Sequence, residues 1–218
     1  MFIDPYYMIL DVDKATYALE PGEPGDYIYE IAGRVIGINE VCRRVVAGRF
    51  KAIYVDVLAA EMARISTIDL FDANATTLEY FYSIYGSDGS QFAGALTGLL
   101  DDEPYWGNIL IIDRLEILPK FRAHNLGLVA MRRIIERFRP GAEIVAIKPF
   151  PLQNEAFIGN DAAWRARLDL SNFKGNQARA MAKLRRHYAK LGFKQLRGTE
   201  FMFLFGGAIL PGVADLEK

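Results

Sequence analysis

The chain has 218 residues, of which 51% are apolar, 24% charged and 12% aromatic, and its formal net charge is −1 at pH 7. These proportions are typical of a folded globular domain and exclude wholesale disorder, collagen and coiled-coil composition. The near-neutral charge argues against a generally polybasic nucleic-acid binder, while the single cysteine, Cys42, excludes an internal disulfide and, with two histidines, a Cys/His zinc framework.

Hydrophobic periodicity and turn residues predict the elements of the first half. In chain order we expect a strand at 6–12, a helix at 36–50, an aliphatic strand at 52–59, a short helix at 76–85 and a loop at 86–90. Residues 1–13 lack a basic n-region, and their apolar runs are too short for a signal peptide. No apolar stretch is long enough to span a membrane, so we expect a cytoplasmic protein without a membrane partner.

The second half predicts a strand–helix–strand unit. Residues 108–118 are the strongest predicted strand, and their first half is apolar on both faces, which is typical of a central, doubly covered strand. A helix at 125–139 with one apolar stripe follows, and a strand at 143–150 completes a βαβ unit whose strands should be parallel. A further helix at 177–191 and a closing strand at 200–205 come after it.

Charge is unevenly distributed along the chain. Residues 65–107 contain seven acidic residues and no Lys or Arg, whereas residues 174–197 contain eight basic residues and no acidic one. Such asymmetry favours an anionic partner for the second half, although a solvated helix face explains many charge runs equally well.

The most informative segment is 115–127, LEILPKFRAHNLG. A strand ends, Pro119 interrupts its ladder, and a short loop turns into a helix whose first N–H groups have no intrahelical acceptor. With the helix dipole, these groups form an anion site suited to a diphosphate. Gly127 lets the backbone approach a ligand, and Lys120, Arg122, Arg132 and Arg133 add positive charge. Many strand-to-helix turns, however, have a glycine and a base without binding anything.

This segment resembles the acyl-CoA motif of the GNAT superfamily of acetyl-CoA-dependent N-acetyltransferases, roughly L-x-V-x-P-x-x-R-x-x-G-x-G. The chain has Leu115, Ile117, Pro119, Arg122, Asn125 and Gly127 at the matching places. Asn125 replaces a glycine, and asparagine tolerates the positive φ that such a loop needs. The resemblance implies that acetyl-CoA contacts Leu115, Ile117, Leu118, Arg122, Ala123, His124, Asn125, Leu126, Gly127 and Leu128.

A second motif lies downstream, where the phrase Y-x-K-L-G-F of the same family is matched by residues 188–193. Met181 stands where the family usually has an asparagine that contacts pantetheine. The resemblance covers about residues 108–205 and implies an α/β fold, with a mixed, mostly antiparallel sheet flanked by helices and acetyl-CoA in the splay between two parallel strands. We expect one domain over 1–218, with a variable acceptor-side half at 1–107 and a C-terminal tail at 206–218.

The resemblance also implies catalytic roles. Helical spacing turns Tyr188 toward the sheet, and in the family this tyrosine donates a proton to the departing CoA thiolate; without the family context it reads as a core tyrosine. Asp113, in an apparent apolar row with Ile109, Ile111, Leu115 and Ile117, is the first candidate base. Glu116, expected on the opposite side, is the second. An ion pair explains Asp113 about as well as catalysis, and a bulge would change the assignment.

The implied function is transfer of an acetyl group from acetyl-CoA to an unidentified amine, by direct attack through a tetrahedral intermediate and without a metal. Homodimers are common in the family, so a homodimer stays open. The acidic residues Asp69, Asp72, Asp101 and Asp102 favour a cationic acceptor. Two alternatives remain: a non-catalytic acyl-CoA-binding or interaction module on the same fold, and an RNA-binding module on residues 174–197, which lacks the exposed aromatic residues typical of such surfaces.

Overall fold

A computed structural model of the chain describes residues 3–15, 20–86, 89–100, 104, 106–122, 125–154, 161–173 and 176–216. The strands in this part are β1 (Ile9–Ala15), β2 (Ile28–Ile38), β3 (Arg44–Val55), β4 (Asn108–Ile117), β5 (Ala142–Ile147), β6 (Lys194–Gln195) and β7 (Met202–Phe205). The helices are α1 (Val57–Met62), α2 (Thr67–Asp72), α3 (Ala75–Ile84), α4 (Gly94–Thr97), α5 (Leu126–Phe138), α6 (Ala162–Leu168), α7 (Gln177–Ala189) and α8 (Val213–Leu216).

The described strands form one mixed sheet in the order β1-β2-β3-β4-β5-β7-β6. β4 and β5 pair in parallel with α5 between them in the chain, so the predicted βαβ unit is confirmed. The other neighbouring strands pair antiparallel. The predicted α/β class, a mixed and mostly antiparallel sheet flanked by helices, is therefore present.

Both faces of the sheet are covered, which explains why β4 is apolar on both sides. Leu110 and Ile112 belong to a core with α5, whereas Ile109 and Ile111 belong to a second core with α1–α4. Since successive strand residues point to opposite faces, these pairs define an α5-facing side and an α3-facing side of the sheet. The same alternation holds from Ile144 to Ile147 in β5, so this central pair of strands is fixed in register by two cores at once.

The predicted helix at 36–50 is wrong, because this segment is the turn of a β-hairpin. β2 runs to Ile38 and β3 starts at Arg44, with Gly37 paired to Val45. Asn39 supplies the turn, since its side-chain oxygen accepts the backbone N–H groups of Val41 (3.2 Å) and Arg43 (2.8 Å). Such local hydrogen bonds of an asparagine favour a turn over a helix.

The other predicted helices and strands are present with shifted ends, and the predicted loop at 86–90 lies partly outside the described residues. The strand predicted at 6–12 begins at Ile9 after a short 3-10 turn, and the strand predicted at 52–59 is the end of β3. The helix at 76–85 is α3, the strand at 108–118 is β4, and the helices at 125–139 and 177–191 are α5 and α7. β5 and β7 are shorter than the predicted strands at 143–150 and 200–205.

The C-terminal segment packs on α5. Leu210, Val213 and Leu216 are buried in the α5-facing core. Arg132 Nε donates to the Pro211 carbonyl at 2.7 Å, and Arg139 donates to the Ala208 carbonyl at 2.6 Å. Arg132 of α5 and Arg139, directly after the helix, therefore anchor this tail. Among the described residues, no helix combines the length and the apolar character that crossing a membrane requires.

Candidate functional site

A β-bulge in β4 corrects the predicted arrangement of its side chains. Lys51 of β3 pairs with Arg114 and Ala52 pairs with Ile112, so Asp113 has no partner residue on β3. The bulge reverses the alternation, and as a result Leu115 and Ile117 pack on the α5-facing core rather than beside Ile109 and Ile111. The expected single row of these residues with Asp113 is therefore wrong.

Asp113 lies on the α3-facing side and is paired there. Its Oδ2 is 3.5 Å from Lys51 Nζ, and about a quarter of its side chain (26%) is exposed. Lys51 also pairs with Glu30 at 3.2 Å. Burial works to raise the pKa of Glu30, but Lys51 and Lys14 together hold that pKa below its usual value. The sequence left open whether Asp113 is a base or forms an ion pair. The structure shows an ion pair, with Lys51 rather than an arginine, and the partial exposure of Asp113 is compatible with the role of a base.

Glu116 lies on the same side as Asp113, so its expected position on the opposite side is wrong. Its register partner on β3 is Arg49, and its side chain alternates with Leu115 and Ile117. Only 8% of the residue is exposed. One carboxylate oxygen accepts from Arg114 at 3.0 Å, and the other accepts from the indole N–H of Trp164 at 2.6 Å. Both oxygens of this second candidate base are therefore engaged within the chain.

The parallel strands separate just beyond the bulge. Pairing between β4 and β5 runs from Asn108 with Ala142 to Ile112 with Ile147 and ends there, whereas β4 continues to Ile117 along β3. Residues 113–117 consequently have no ladder partner on the β5 side among the described strands. We call this gap, between residues 113–117 and the segment 148–151 after β5, the strand opening. It lies at the carboxyl ends of two parallel strands, where open α/β sheets commonly bind ligands.

The N-terminus of α5 borders the strand opening. Asn125 precedes the helix in the left-handed conformation, with φ 53° and ψ 23°, as its tolerance of positive φ predicted. Leu128 and Val129 are the first residues whose N–H groups donate to Asn125, at 2.8 and 3.2 Å. The N–H groups of Leu126 and Gly127 precede those bonds. Ala123 and His124, both predicted to contact the cofactor, lie outside the described residues.

Arg122 is held by its own chain. Its Nε donates to the Ile117 carbonyl at 2.9 Å, and a terminal nitrogen donates to the Leu168 carbonyl. Burial lowers the pKa of Arg122. This predicted cofactor residue therefore fixes the loop before α5 by tying the end of β4 to the end of α6.

The structure brings the two sequence motifs together. A Cβ atom placed on Gly127 of the first motif would lie 3.7 Å from Ile117 Cγ1 and 4.0 Å from His187 Nε2. His187 adjoins Tyr188, the first residue of the second motif, and their ring centroids are 5.9 Å apart. Tyr188 packs against the α5-facing core, and burial raises its pKa to about 12. The predicted orientation of Tyr188 toward the sheet is confirmed.

Tyr80 is a residue at the opening that no sequence motif indicated. It lies on α3 with 2% exposure, and its ring centroid is 4.4 Å from that of Phe201. Its hydroxyl hydrogen-bonds with the backbone of Lys148, the first residue after β5. Burial raises the pKa of Tyr80, and the charges of Asp113 and Glu79 add to this effect. Tyr80 therefore connects α3 with both strands of the parallel pair.

Lys148 forms the other wall of the opening on the α3-facing side. Its Nζ is 2.9 Å from Glu79 and 3.4 Å from Glu200. Burial works to lower the pKa of Lys148, but the two carboxylates hold that pKa above its usual value. Lys148 therefore stays protonated and acts as a charged anchor rather than as a base.

No protein-family model, no curated protein and no solved structure matches the chain.

Of the four acidic residues expected to favour a cationic acceptor, the structure describes two. Asp69 and Asp72 lie on α2, where Asp69 accepts a hydrogen bond from Ser66 at the start of the helix; Asp101 and Asp102 lie outside the described residues. The carboxylates at the opening are instead Glu30, Glu79, Asp113 and Glu200. In the part of the chain that the structure describes, no group of three His, Cys, Asp or Glu side chains is placed to hold a metal.

Proposed function

We propose that the chain transfers an acetyl group from acetyl-CoA to an amine, as an N-acetyltransferase of the GNAT type. The observation that carries this proposal is the strand opening: β4 and β5 stop pairing at Ile112 and Ile147 while β4 continues to Ile117. The two motifs that resemble the family meet beside this opening, at Gly127 and His187. A gap in a parallel pair next to a helix N-terminus suits an extended thioester cosubstrate with a diphosphate.

The diphosphate would bind at the start of α5. The N–H groups of Leu126 and Gly127 precede the first intrahelical bonds, and the helix dipole adds positive potential there. The pantetheine arm would follow the free edge of β4, past Ile117 and Leu115. Among the described strands, the backbone N–H groups of this edge have no ladder partner on the β5 side, so they can serve the oxyanion of a tetrahedral intermediate.

The reacting groups would approach from the two sides of the sheet. Asp113 lies on the α3-facing side, where it would take a proton from the attacking amine. Tyr188 packs on the α5-facing side, where it would give a proton to the leaving thiolate. The nitrogen forms its bond to the carbonyl carbon, the carbon–sulfur bond then breaks, and the two protons are handled by different residues. No metal is required for either step.

A calorimetric titration with acetyl-CoA tests the proposal, with dephospho-CoA as the control for recognition of the terminal phosphate. We expect micromolar binding of acetyl-CoA, followed by turnover when a panel of amines is supplied. The absence of binding at millimolar acetyl-CoA would overturn the proposal.

The second candidate is a non-catalytic acyl-CoA-binding module, and the pairing of Asp113 with Lys51 at 3.5 Å favours it. An aspartate held in an ion pair stabilises the bulge without accepting a proton. The two candidates differ in one readout, since the binding module binds acetyl-CoA as tightly but acetylates no amine of the panel.

A further inference from the structure

We propose that Glu116 is a positioning residue, which holds α6 through the indole of Trp164 and thereby sets the position of residues 118–122, the Arg122 loop, beside the strand opening. We call the segment 161–173, with α6 at its centre, the α6 clasp. The effect of the clasp on acetyl-CoA binding rests on the proposed function.

The surroundings of Glu116 suit a structural anchor and not a base. The residue is 8% exposed, and its two oxygens accept from Arg114 at 3.0 Å and from Trp164 Nε1 at 2.6 Å. A general base needs a lone pair within hydrogen-bond reach of the proton that it takes. A buried carboxylate, by contrast, needs such partners to offset the loss of its hydration. Glu116 has both partners, and its hydrogen bond with one of them, the indole of Trp164, fixes the orientation of that ring.

Trp164 is fixed from several directions at the start of the clasp. The guanidinium of Arg49 lies 4.1 Å from its ring centroid, and that of Arg167 lies 4.9 Å away. The backbone N–H of Trp164 donates to Asp161 at 3.2 Å, and Asp161 also forms an ion pair with Arg49. Because Arg49 and Glu116 are register partners on β3 and β4, the start of α6 is tied to the sheet at one point.

The other end of the α6 clasp contacts the Arg122 loop. Leu168, the last residue of α6, is buried in the α5-facing core, and its carbonyl accepts from Arg122. The same guanidinium donates to Ile117 at the end of β4, and it lies 4.7 Å from the ring centroid of Phe173. The clasp therefore crosses the end of β4 and joins Glu116 on one side to the Arg122 loop on the other.

This connection predicts how a substitution at Glu116 changes the binding of acetyl-CoA. If the indole loses its acceptor, the start of α6 is released and the Leu168 carbonyl shifts under Arg122. Displacements of about 1 Å in a supporting shell are enough to weaken a site markedly. The loss should therefore appear in the dissociation constant for acetyl-CoA, whereas the loss of a base appears in kcat.

The test is a double-mutant cycle with Glu116→Ala and Trp164→Phe, read by titration with acetyl-CoA and by steady-state kinetics. We expect each single variant to raise Kd about tenfold, which matches the loss of a hydrogen bond to a charged group. The double variant should bind no more weakly than Glu116→Ala, because the indole contact that Trp164→Phe removes is already lost in Glu116→Ala. Glu116→Gln keeps an acceptor oxygen for the indole and should stay within about threefold of wild type in Kd and kcat.

Trp106→Phe is the matched control. Trp106 also donates its indole N–H to a glutamate, Glu61, at 3.0 Å, but it packs in the α3-facing core with α1–α4. We expect it to leave Kd and kcat unchanged. A Glu116→Gln variant that loses kcat about a hundredfold at unchanged Kd would make Glu116 the base and overturn the proposal, as would additive effects in the cycle.

Amide hydrogen exchange separates this proposal from the proposed function. In both Glu116→Ala and Trp164→Phe, we expect faster exchange in residues 161–173 and 119–122, with unchanged exchange in β5. This readout needs no ligand, so it still tests the clasp if the wild-type chain fails to bind acetyl-CoA. Unchanged exchange in the clasp would overturn the positioning role, whatever the titration gives.

Discussion

At the scale of the residue, the bulge decides which side chain faces the opening. Asp113 has no partner on β3 and lies 3.5 Å from Lys51. If Asp113 is the base, Asp113→Asn keeps its size but cannot take the amine proton, so kcat/KM should fall about 10²–10⁴-fold while the Kd for acetyl-CoA stays the same. Steady-state kinetics with the best amine of the panel measure this.

Asp13→Asn is the matched control for Asp113. Asp13 is also a strand aspartate in an ion pair, 3.1 Å from Arg34, but it is half-exposed on β1. Its neutralisation should leave the kinetics unchanged, because exposed pairs contribute little. A change of less than about threefold in Asp113→Asn, within the range of single surface contacts, would assign Asp113 to the ion pair alone.

Tyr188 carries the second prediction at this scale. Burial raises its pKa to about 12, well above the value near 8.5 of an ordinary thiol. In the proposed reaction, desolvation of the leaving thiolate at the strand opening would raise its proton affinity as well, which reduces this mismatch. We expect Tyr188→Phe to lower kcat about 10²–10⁴-fold at unchanged Kd for acetyl-CoA. Tyr82→Phe, at a tyrosine that is 74% exposed, should change neither; an equal loss in both variants would contradict the role.

His187 links the site to the stability of the fold. Burial, with the charges of Lys190 and Lys183, lowers its pKa below the usual value of 6.5. The unfolded chain therefore binds this proton more readily, and the free energy of unfolding falls as the pH drops below about 6.5. The His187→Gln variant lacks this proton, so we expect its Tm to fall less than that of wild type between about pH 7.5 and pH 5. Thermal unfolding by circular dichroism at matched pH values measures the difference, and parallel curves would contradict it.

At the scale of the element, the regular parts of the βαβ unit were predictable and the irregular parts were not. The first half of β4 is apolar on both faces because two cores cover it, and α5 has one apolar stripe that packs in the α5-facing core. The hairpin of β2 and β3 was misread as a helix because its turn depends on one side chain, Asn39, which accepts two backbone N–H groups. Periodicity does not report such local bonds.

The site was predictable only to the extent that it follows a motif. The segment 115–127 and Tyr188 stand out in the sequence, and the structure brings them together near Gly127. The sides of Asp113 and Glu116 depend on a bulge, which adds one residue without changing composition. The contacts of Trp164 with Glu116 span 48 positions in the sequence, and no local pattern indicates a contact of that range.

Asn125 provides a prediction for the loop that begins α5. It adopts φ 53°, where a side chain other than asparagine or glycine is strained. We expect Asn125→Ala to lower the free energy of unfolding by about 1 kcal/mol and to weaken acetyl-CoA binding. Asn125→Gly should instead preserve both, because glycine adopts this conformation without strain. Urea unfolding and titration measure the two effects.

Cys42 offers a control for the backbone effect alone. It has nearly the same conformation, φ 56°, in the turn between β2 and β3. Cys42→Gly should maintain or raise stability and leave the Kd for acetyl-CoA unchanged. If Asn125→Ala leaves both stability and Kd at their wild-type values, the left-handed conformation of Asn125 does not determine the conformation of the loop before α5.

At the scale of the whole molecule, one sheet joins two cores through adjacent residues. Ile111 is fully buried among α1–α4 on one side, and Ile112, its neighbour in β4, is 1% exposed in the core with α5. The C-terminal segment is also buried in the α5-facing core, through Leu210, Val213 and Leu216. A single strand that serves both cores couples the α3-facing core to the α5-facing core, so neither should unfold separately.

Ile111→Ala and Ile112→Ala test this coupling. Each removes buried methyl groups, and we expect each to lower the free energy of unfolding by about 2–5 kcal/mol. Because the cores share β4, each variant should move the whole urea transition, with far-ultraviolet circular dichroism and tryptophan fluorescence changing together. Fluorescence comes from Trp106 in one core and Trp164 in the other, so single-tryptophan versions report each core separately. If Ile111→Ala shifted the Trp106 transition and left that of Trp164 in place, the chain would consist of two independently unfolding units, and the single domain expected from the sequence would be wrong.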